Sequence, residues 1–192
     1  MKRSINYKII LASNSPRRRE LLKGLDIDFE VRVIPDIDET HPSDIPSDEI
    51  PVWLSRKKAD AYLSTISRDE LVITADTVVV LDNDVLEKPA DREEAIQMLK
   101  RLSGRKHRVI TAVTLTTADR RKEFSVTSTV DFAELTTEEI EYYVDKYKPF
   151  DKAGAYGIQE WIGYTGVRGI EGSFYNVMGL PIQRLYRELK NF

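Results

Sequence analysis

An aspartate stands inside an apolar run, Leu71-Val72-Ile73-Thr74-Ala75-Asp76-Thr77-Val78-Val79-Val80-Leu81. A carboxylate in such a strand is costly unless it is paired, bound to a metal or placed at the mouth of a site. Asp76 is therefore a candidate general base or metal ligand. The plainer alternative is an Asp at an exposed strand end that caps the next turn. The second informative stretch is Leu11-Ala12-Ser13-Asn14-Ser15-Pro16-Arg17-Arg18-Arg19-Glu20-Leu21-Leu22. Ser15 suits an N-cap and Pro16 the first helical position, so a helix should start here and stop at Lys23-Gly24. Its first turn holds three arginines, where the helix dipole disfavours cations by about a few tenths of a kcal/mol each. That cost makes sense if Arg17 and Arg18 meet an anion together with the free N–H groups, and phosphate is the obvious anion. Replacing either arginine by alanine should then keep the fold and relieve the helix slightly. Arg19 points off another side and reads as a solvated residue paired with a nearby acid.

Other candidates carry less information on their own. Glu39 lies in the acidic stretch Asp36-Ile37-Asp38-Glu39, which by pattern is a solvated loop. Lys57 and Lys58 flank the apolar face of a helix containing Ile50, Leu54 and Ala61, and periodicity does not choose between them. Lys88 sits between Glu87 and Pro89 at a strand end, where an exposed loop lysine is the plain reading. Gln159 closes the block Lys152–Gln159, whose glycines would let backbone approach a ligand closely. Its amide offers an acceptor and two donors, a set that can pair with N3–H and O4 of uracil or thymine.

Several blocks together resemble the Maf family of nucleotide pyrophosphatases. Ser-x-Ser-Pro-Arg-Arg-x-x-Leu-Leu follows a short apolar strand near the amino end. Ala75-Asp76-Thr77-Val78-Val79-Val80, Leu86-Glu87-Lys88-Pro89, Asp151–Gln159, and Glu171-Gly172-Ser173 with Gly179-Leu180-Pro181 then follow in the family's order. Ordered blocks across nearly the whole chain are far more specific than one short motif. The resemblance implies that Asp76, Lys58 and Lys88 are catalytic. It selects Lys58 because a Lys-Ala pair follows Leu-x-Arg-x in the family. It implies that Ser13, Arg17, Arg18, Thr77 and Gln159 bind substrate. It raises Glu39, with Asp76, to a ligand pair for Mg²⁺ or Mn²⁺. The Gly-Ile-Gln block is similar to the dTTP- and UTP-preferring branch. The chain departs from the family at Asn14 and Thr74, where small residues are usual, and Glu160-Trp161-Ile162-Gly163-Tyr164 is less familiar. Asn14 tolerates left-handed backbone angles, so the turn should survive.

The elements that must place these groups can be read from periodicity and caps. Strands are expected at Tyr7–Ala12, Phe29–Ile34, Leu71–Leu81, Val85–Leu86, His107–Thr116 and Phe124–Leu135. Helices are expected at Pro16–Lys23, at Ser47–Leu63 with Asp48 and Glu49 in its first turn, and at Asp91–Leu102 capped by Asp91 and Glu94. Two more follow, from Thr136 with a Glu139 capping box through Tyr147, and at Pro181–Leu189. Pro35 to Ser47 reads as a long acidic loop or lid. The pattern is α/β or α+β. The resemblance implies a Maf/ITPase-like fold: a mixed central sheet flanked by helices, with two lobes and a substrate cleft, as one domain over 1–192.

Composition narrows the partners. With 192 residues, 41% hydrophobic and 32% charged, the chain fits a soluble globular protein with one substantial core or a core and a cleft. No cysteine is present, which removes thiol nucleophiles and thiolate metal sites, and His41 and His107 stand too far apart in sequence to suggest a zinc site. A metal would need oxygen ligands. The net charge of −3 argues against a nucleic-acid binder. Met1-Lys2-Arg3 is basic, but Asn6 and Lys8 interrupt a leader, and no apolar run is long enough to span a membrane. The expectation is a cytoplasmic nucleoside triphosphate pyrophosphatase with no membrane or nucleic-acid partner, and a homodimer stays open. Two alternatives remain at this stage: a nucleotide-binding regulator linked to septum formation, and a purine-directed house-cleaning pyrophosphatase, which Gly-Ile-Gln disfavours.

Overall fold

The computed structural model describes residues 6–192. Met1-Lys2-Arg3, weighed above as a leader, lies outside the described residues. The elements in chain order are β1 (Lys8–Leu11), α1 (Pro16–Lys23), β2 (Phe29–Val31), α2 (Ile50–Asp60), β3 (Glu70–Leu81), β4 (Asp84–Leu86), α3 (Arg92–Leu102), β5 (Lys106–Thr116), β6 (Arg121–Phe132), α4 (Thr137–Tyr147), a 3₁₀ turn (Ala153–Ala155), α5 (Trp161–Gly166), β7 (Val167–Glu171), α6 (Phe174–Val177) and α7 (Ile182–Lys190). No described helix is long and apolar enough to cross a membrane.

The strands form one mixed sheet in the order β2-β1-β3-β5-β6-β7, with β4 paired to β3. Strand β1 runs parallel to β2 and to β3, placing Ile10 opposite Glu30 and Val72. Pairs β3–β4 and β6–β7 are antiparallel. Strand β3 is buried along nearly its whole length, as a near-continuous apolar run with both faces covered should be.

The chain divides into two compact units. The first takes Met1–Asp76, Thr111–Val126 and Gly179–Phe192, and the second Thr77–Ile110 and Thr127–Met178. In the first, Ile10, Tyr62 and Val72 pack together, with Ile34 and Ile37 against them. Buried Tyr62 satisfies its hydroxyl by donating to Arg32 O at 2.9 Å and accepting from Ile34 N at 3.0 Å. Past Val31, Arg32 N still reaches Leu11 O at 3.2 Å, but Arg32 O and Ile34 N turn to the Tyr62 hydroxyl, which ends β2 short of the Phe29–Ile34 alternation. In the second unit, Val79, Leu99, Leu102, Phe132, Tyr143 and Tyr156 belong to one core. His107 lies inside it, edge-on to Phe132 and Tyr156, with Nε2 2.7 Å from the Tyr156 hydroxyl. Burial holds its imidazole pKa down at about 4.

Most caps follow the sequence. Asp91 accepts from Glu94 N at 2.9 Å, and Thr136 with Glu139 forms the reciprocal box on α4. Helix α2 is shorter than Ser47–Leu63. Asp48 precedes it and Glu49 is its cap, because Glu49 N still bonds to Pro46 O in a turn. Its far end tightens into i→i+3 bonds at Tyr62 and Leu63. Helix α1 ends as expected, but Gly24 keeps φ −65° and the left-handed residue is Asp26. Asn14 is not among the described non-glycine residues with positive φ, so its tolerance for that region goes unused. Elements α5, β7 and α6 had no counterpart in the sequence reading.

Candidate active site

In the first unit, the start of α1 has the expected build. The Ser15 hydroxyl accepts from Arg18 N at 3.4 Å, and the buried Ser13 hydroxyl accepts from Ser15 N at 3.2 Å. No acid stands in the first turn. The three arginines then part company. Arg17 is half-buried. Arg18 donates through Nε to Gly179 O at 2.8 Å and through Nη1 to Ala75 O at 2.9 Å. Its guanidinium thus ties α1 to the residue before Asp76 and to the turn before α7. Burial lowers the Arg18 pKa, and the Asp76 charge partly restores it. The expectation that alanine here would relieve the helix does not survive two charge-assisted bonds to buried backbone. Arg19 is exposed and meets the Asn14 amide oxygen at 3.3 Å, not an acid.

Asp76 lies within β3 and is buried. Its Oδ1 accepts from Lys58 Nζ at 2.6 Å, and the same Nζ is 3.0 Å from Glu39 Oε1. Neighbouring Lys57 goes elsewhere, to Asp38 at 2.6 Å and Thr40 O at 3.0 Å. The bond from Lys57, aided by Thr40, holds the Asp38 pKa down to about 2. Adjacent lysines on one helix therefore do different work: Lys57 fixes the acidic loop and Lys58 joins Glu39 to Asp76.

A set of buried hydroxyls explains how α2 presents Lys58 at this point. Thr74 Oγ1 donates to Ser55 O at 2.7 Å, and Ser55 Oγ lies 3.0 Å from Thr114 Oγ1. Thr74 is two residues before Asp76 and Ser55 is one helical turn before Lys58. The residue noted only as a departure at 74 links helix to strand directly behind the ion pair.

In the second unit, Thr77 follows Asp76 and is half-buried, and Lys88 is exposed just past β4. Gln159 is half-buried, but its Oε1 is buried without a hydrogen-bond partner. The glycines of this block serve the chain's own packing. A Cβ at Gly157 would fall 3.0 Å from Gln159 Nε2 and 2.8 Å from Glu160 Cδ. Sequence reasoning missed Tyr143, Lys152 and Glu160, which meet here. The Tyr143 hydroxyl donates to Glu160 and accepts from Gly157 N at 2.9 Å, while Lys152 Nζ is 3.2 Å from Glu160 Oε1. Burial first, then the bond to Glu160, pushes the Tyr143 pKa well above the usual phenol value. Lys152 could have been flagged as a lysine in an otherwise apolar, glycine-containing block.

Glu39 and Asp76 both reach one ammonium, so two hard oxygen donors converge. Among the described residues no group of three His, Cys, Asp or Glu side chains forms a metal cage. Two carboxylates suit an ion that takes its remaining ligands from water and phosphate, as Mg²⁺ does.

Comparison with known proteins gives the family. The family model described as Maf-like protein matches residues 8–192. A dTTP/UTP pyrophosphatase of Parabacteroides distasonis is 64% identical over 186 residues, covering 97% of this chain and 96% of its own. One of Bacteroides thetaiotaomicron is 61% identical over 184 residues, covering 96% and 95%. Among solved structures, the Ham1 protein of Staphylococcus aureus aligns with a TM-score of 0.52 at 20% identity, over 94% of this chain and 99% of that one, a likeness of fold. Ordered motifs, a family match over nearly all described residues and relatives above 60% identity lead to one assignment: the chain belongs to the Maf family.

Proposed function

We propose that this chain is a nucleoside triphosphate pyrophosphatase that hydrolyses dTTP and UTP at the α–β anhydride, releasing the monophosphate and pyrophosphate. The names of its relatives support the substrate class. The observation that carries the chemistry is the buried Asp76 carboxylate held 2.6 Å from Lys58 Nζ inside an apolar strand. A pure binding protein has no need of that costly placement.

In this reading Asp76 orients a water and accepts its proton as the water oxygen attacks the α-phosphorus. The bond to the bridging oxygen breaks, and that oxygen leaves with pyrophosphate. Lys58 and Lys88 neutralise charge that builds on the phosphates. Arg17, Ser13 and the free N–H groups of α1 bind phosphate oxygens, and Arg18 adds charge while fixing the backbone beside Asp76. Thr77 and Gln159 set the base. Nucleotide pyrophosphatases of this family are generally metal-dependent. Glu39 and Asp76 are the residues that would hold the ion, and Mg²⁺ or Mn²⁺ fits their oxygen donors. When bound, it would neutralise phosphate charge. We read residues 1–192 as one functional domain, working in the cytoplasm on free nucleotides, with no nucleic-acid or membrane partner, and a homodimer is compatible with this reading.

The test is a panel of nucleoside triphosphates incubated with the protein and Mg²⁺ and assayed for pyrophosphate. Release from dTTP and UTP ahead of the purine nucleotides is expected. Tight nucleotide binding with no pyrophosphate from any member would replace the enzyme with a nucleotide-binding regulator.

A further inference from the structure

We infer that Tyr143, Glu160 and Lys152 are positioning residues for base selection, acting through Gln159. The inference rests on the pyrimidine reading just proposed.

Gln159 is the middle of a short segment whose backbone is fixed on both sides. On one side, Gly157 N donates to the Tyr143 hydroxyl at 2.9 Å. That hydroxyl, fully buried on α4, spends its own proton on the Glu160 carboxylate. Glu160 is the residue on the other side of Gln159, so one phenol oxygen grips both flanks. Lys152, itself buried, holds Glu160 Oε1 at 3.2 Å and Asp151 at 2.7 Å. The segment between is pressed from α5 as well. A Cβ on Gly163 would lie 1.7 Å from Ile158 O, an approach that only glycine allows. Upstream, Tyr156 is anchored by His107 at 2.7 Å.

Within this frame Gln159 keeps a buried Oε1 with no partner, and its Nε2 folds over Gly157. A buried acceptor without a donor is unfavourable unless something supplies one. A loop free to relax would turn that oxygen toward water. The clamp prevents this and leaves an acceptor beside a donor, the pattern complementary to N3–H and O4 of uracil or thymine. Cytosine presents an acceptor at N3 and a donor at its exocyclic amine, so it mismatches unless the amide turns over. Discrimination then depends on holding the amide in one orientation, which is what the three residues contribute. Glu160 lies just past the block that ends at Gln159, and the motif pattern assigns it no role.

The experiment measures kcat and KM for dTTP, dCTP and dGTP, with thermal melting, for Tyr143→Phe, Glu160→Ala, Glu160→Gln and Lys152→Met in the full chain. Tyr143→Phe and Glu160→Ala should lower the dTTP/dCTP ratio of kcat/KM by about tenfold or more, mainly by raising KM for dTTP. Glu160→Gln keeps an oxygen for the Tyr143 proton and should recover most of the ratio. In a Gln159→Ala background, Tyr143→Phe should change the ratio by less than about twofold, because the residue it acts through is gone. If Tyr143→Phe does not fold, Glu160→Ala and Lys152→Met carry the same comparison. Equal losses on all three nucleotides, or losses that multiply with Gln159→Ala, would make the cluster merely structural and overturn the inference. A wild-type protein with no preference for dTTP over dCTP would instead remove the pyrimidine reading itself.

Discussion

Arg18→Ala separates two roles that the same residue type performs one position apart. The substitution removes the Nε bond to Gly179 O at 2.8 Å and the Nη1 bond to Ala75 O at 2.9 Å. Bonds from a charged donor contribute about 1.5–3 kcal/mol each, and two carbonyls would be left with poor access to water. Removing a cation from the first turn of α1 returns only about 0.3–1 kcal/mol. The two bonds share one side chain and are not independent, so the net loss should be about 2–4 kcal/mol. For a chain of this size each kcal/mol moves Tm by about 2–4 °C, giving a fall of about 5–15 °C. Arg17→Ala should lower kcat/KM about a hundredfold through lost phosphate binding. The assay is thermal melting of nucleotide-free protein by circular dichroism and calorimetry, followed by kinetics at a temperature where every variant is folded. Arg18→Lys keeps the charge but not the fork, and should melt nearly as early as the alanine variant. A melting point for Arg18→Ala within about 2 °C of wild type would refute the account of Arg18 as a tie between α1, β3 and the Gly179 turn.

Asp76→Asn keeps shape but loses the basic oxygen, so kcat should drop by about 10²–10⁴ while nucleotide affinity by calorimetry stays within about tenfold; joint collapse of both would make Asp76 chiefly a metal ligand. Exhaustive treatment with EDTA should abolish turnover and Mg²⁺ or Mn²⁺ restore it, and full activity after chelation would remove the role given to Glu39. Gln159→Ala should cost UTP and dTTP about 1–3 kcal/mol more than CTP or GTP, and a uniform loss would count against base reading. His107 is held neutral, with its pKa near 4 against an ordinary 6.5. The unfolded chain therefore binds the extra proton first, and stability should fall as pH drops from about 6.5 towards 4, by up to about 3 kcal/mol from this residue. Denaturant titrations of wild type and His107→Phe across that window should differ in slope, and parallel curves would contradict the assignment.

Much of the architecture was legible because it rests on local chemistry. Ser15-Pro16 starts α1, Asp91 caps α3 and Thr136 with Glu139 caps α4, each through groups three residues apart or fewer. The run Leu71–Leu81 could only be a buried strand. Elements α5, β7 and α6 escaped because they are short and lack periodicity, and β7 exists through its pairing with distant β6. The candidate residues were legible as types, but their division of labour was not. Lys57 and Lys58 differ only in which acid the fold brings to each, and Arg18 finds its carbonyl partners 57 and 161 residues away. The phenol of Tyr143 gave no signal, since a buried tyrosine on an amphipathic helix reads as core.

Strand β3 also bears on how the protein behaves in a crowded solution. Its segment Leu71–Leu81, with β-branched residues and little charge, has the composition that favours cross-β association. The fold places it in the interior of the sheet order, paired with β1, β5 and β4. The edge positions fall to β2, only three residues long and centred on Glu30, to β7, which carries Arg168 and Glu171, and to three-residue β4, which pairs with β3 and begins at Asp84. Short, charged edges are poor templates for an incoming strand. The native sheet thus hides its stickiest segment and exposes its least adhesive ones. Aggregation should consequently track unfolding, with little contribution from contacts between folded molecules.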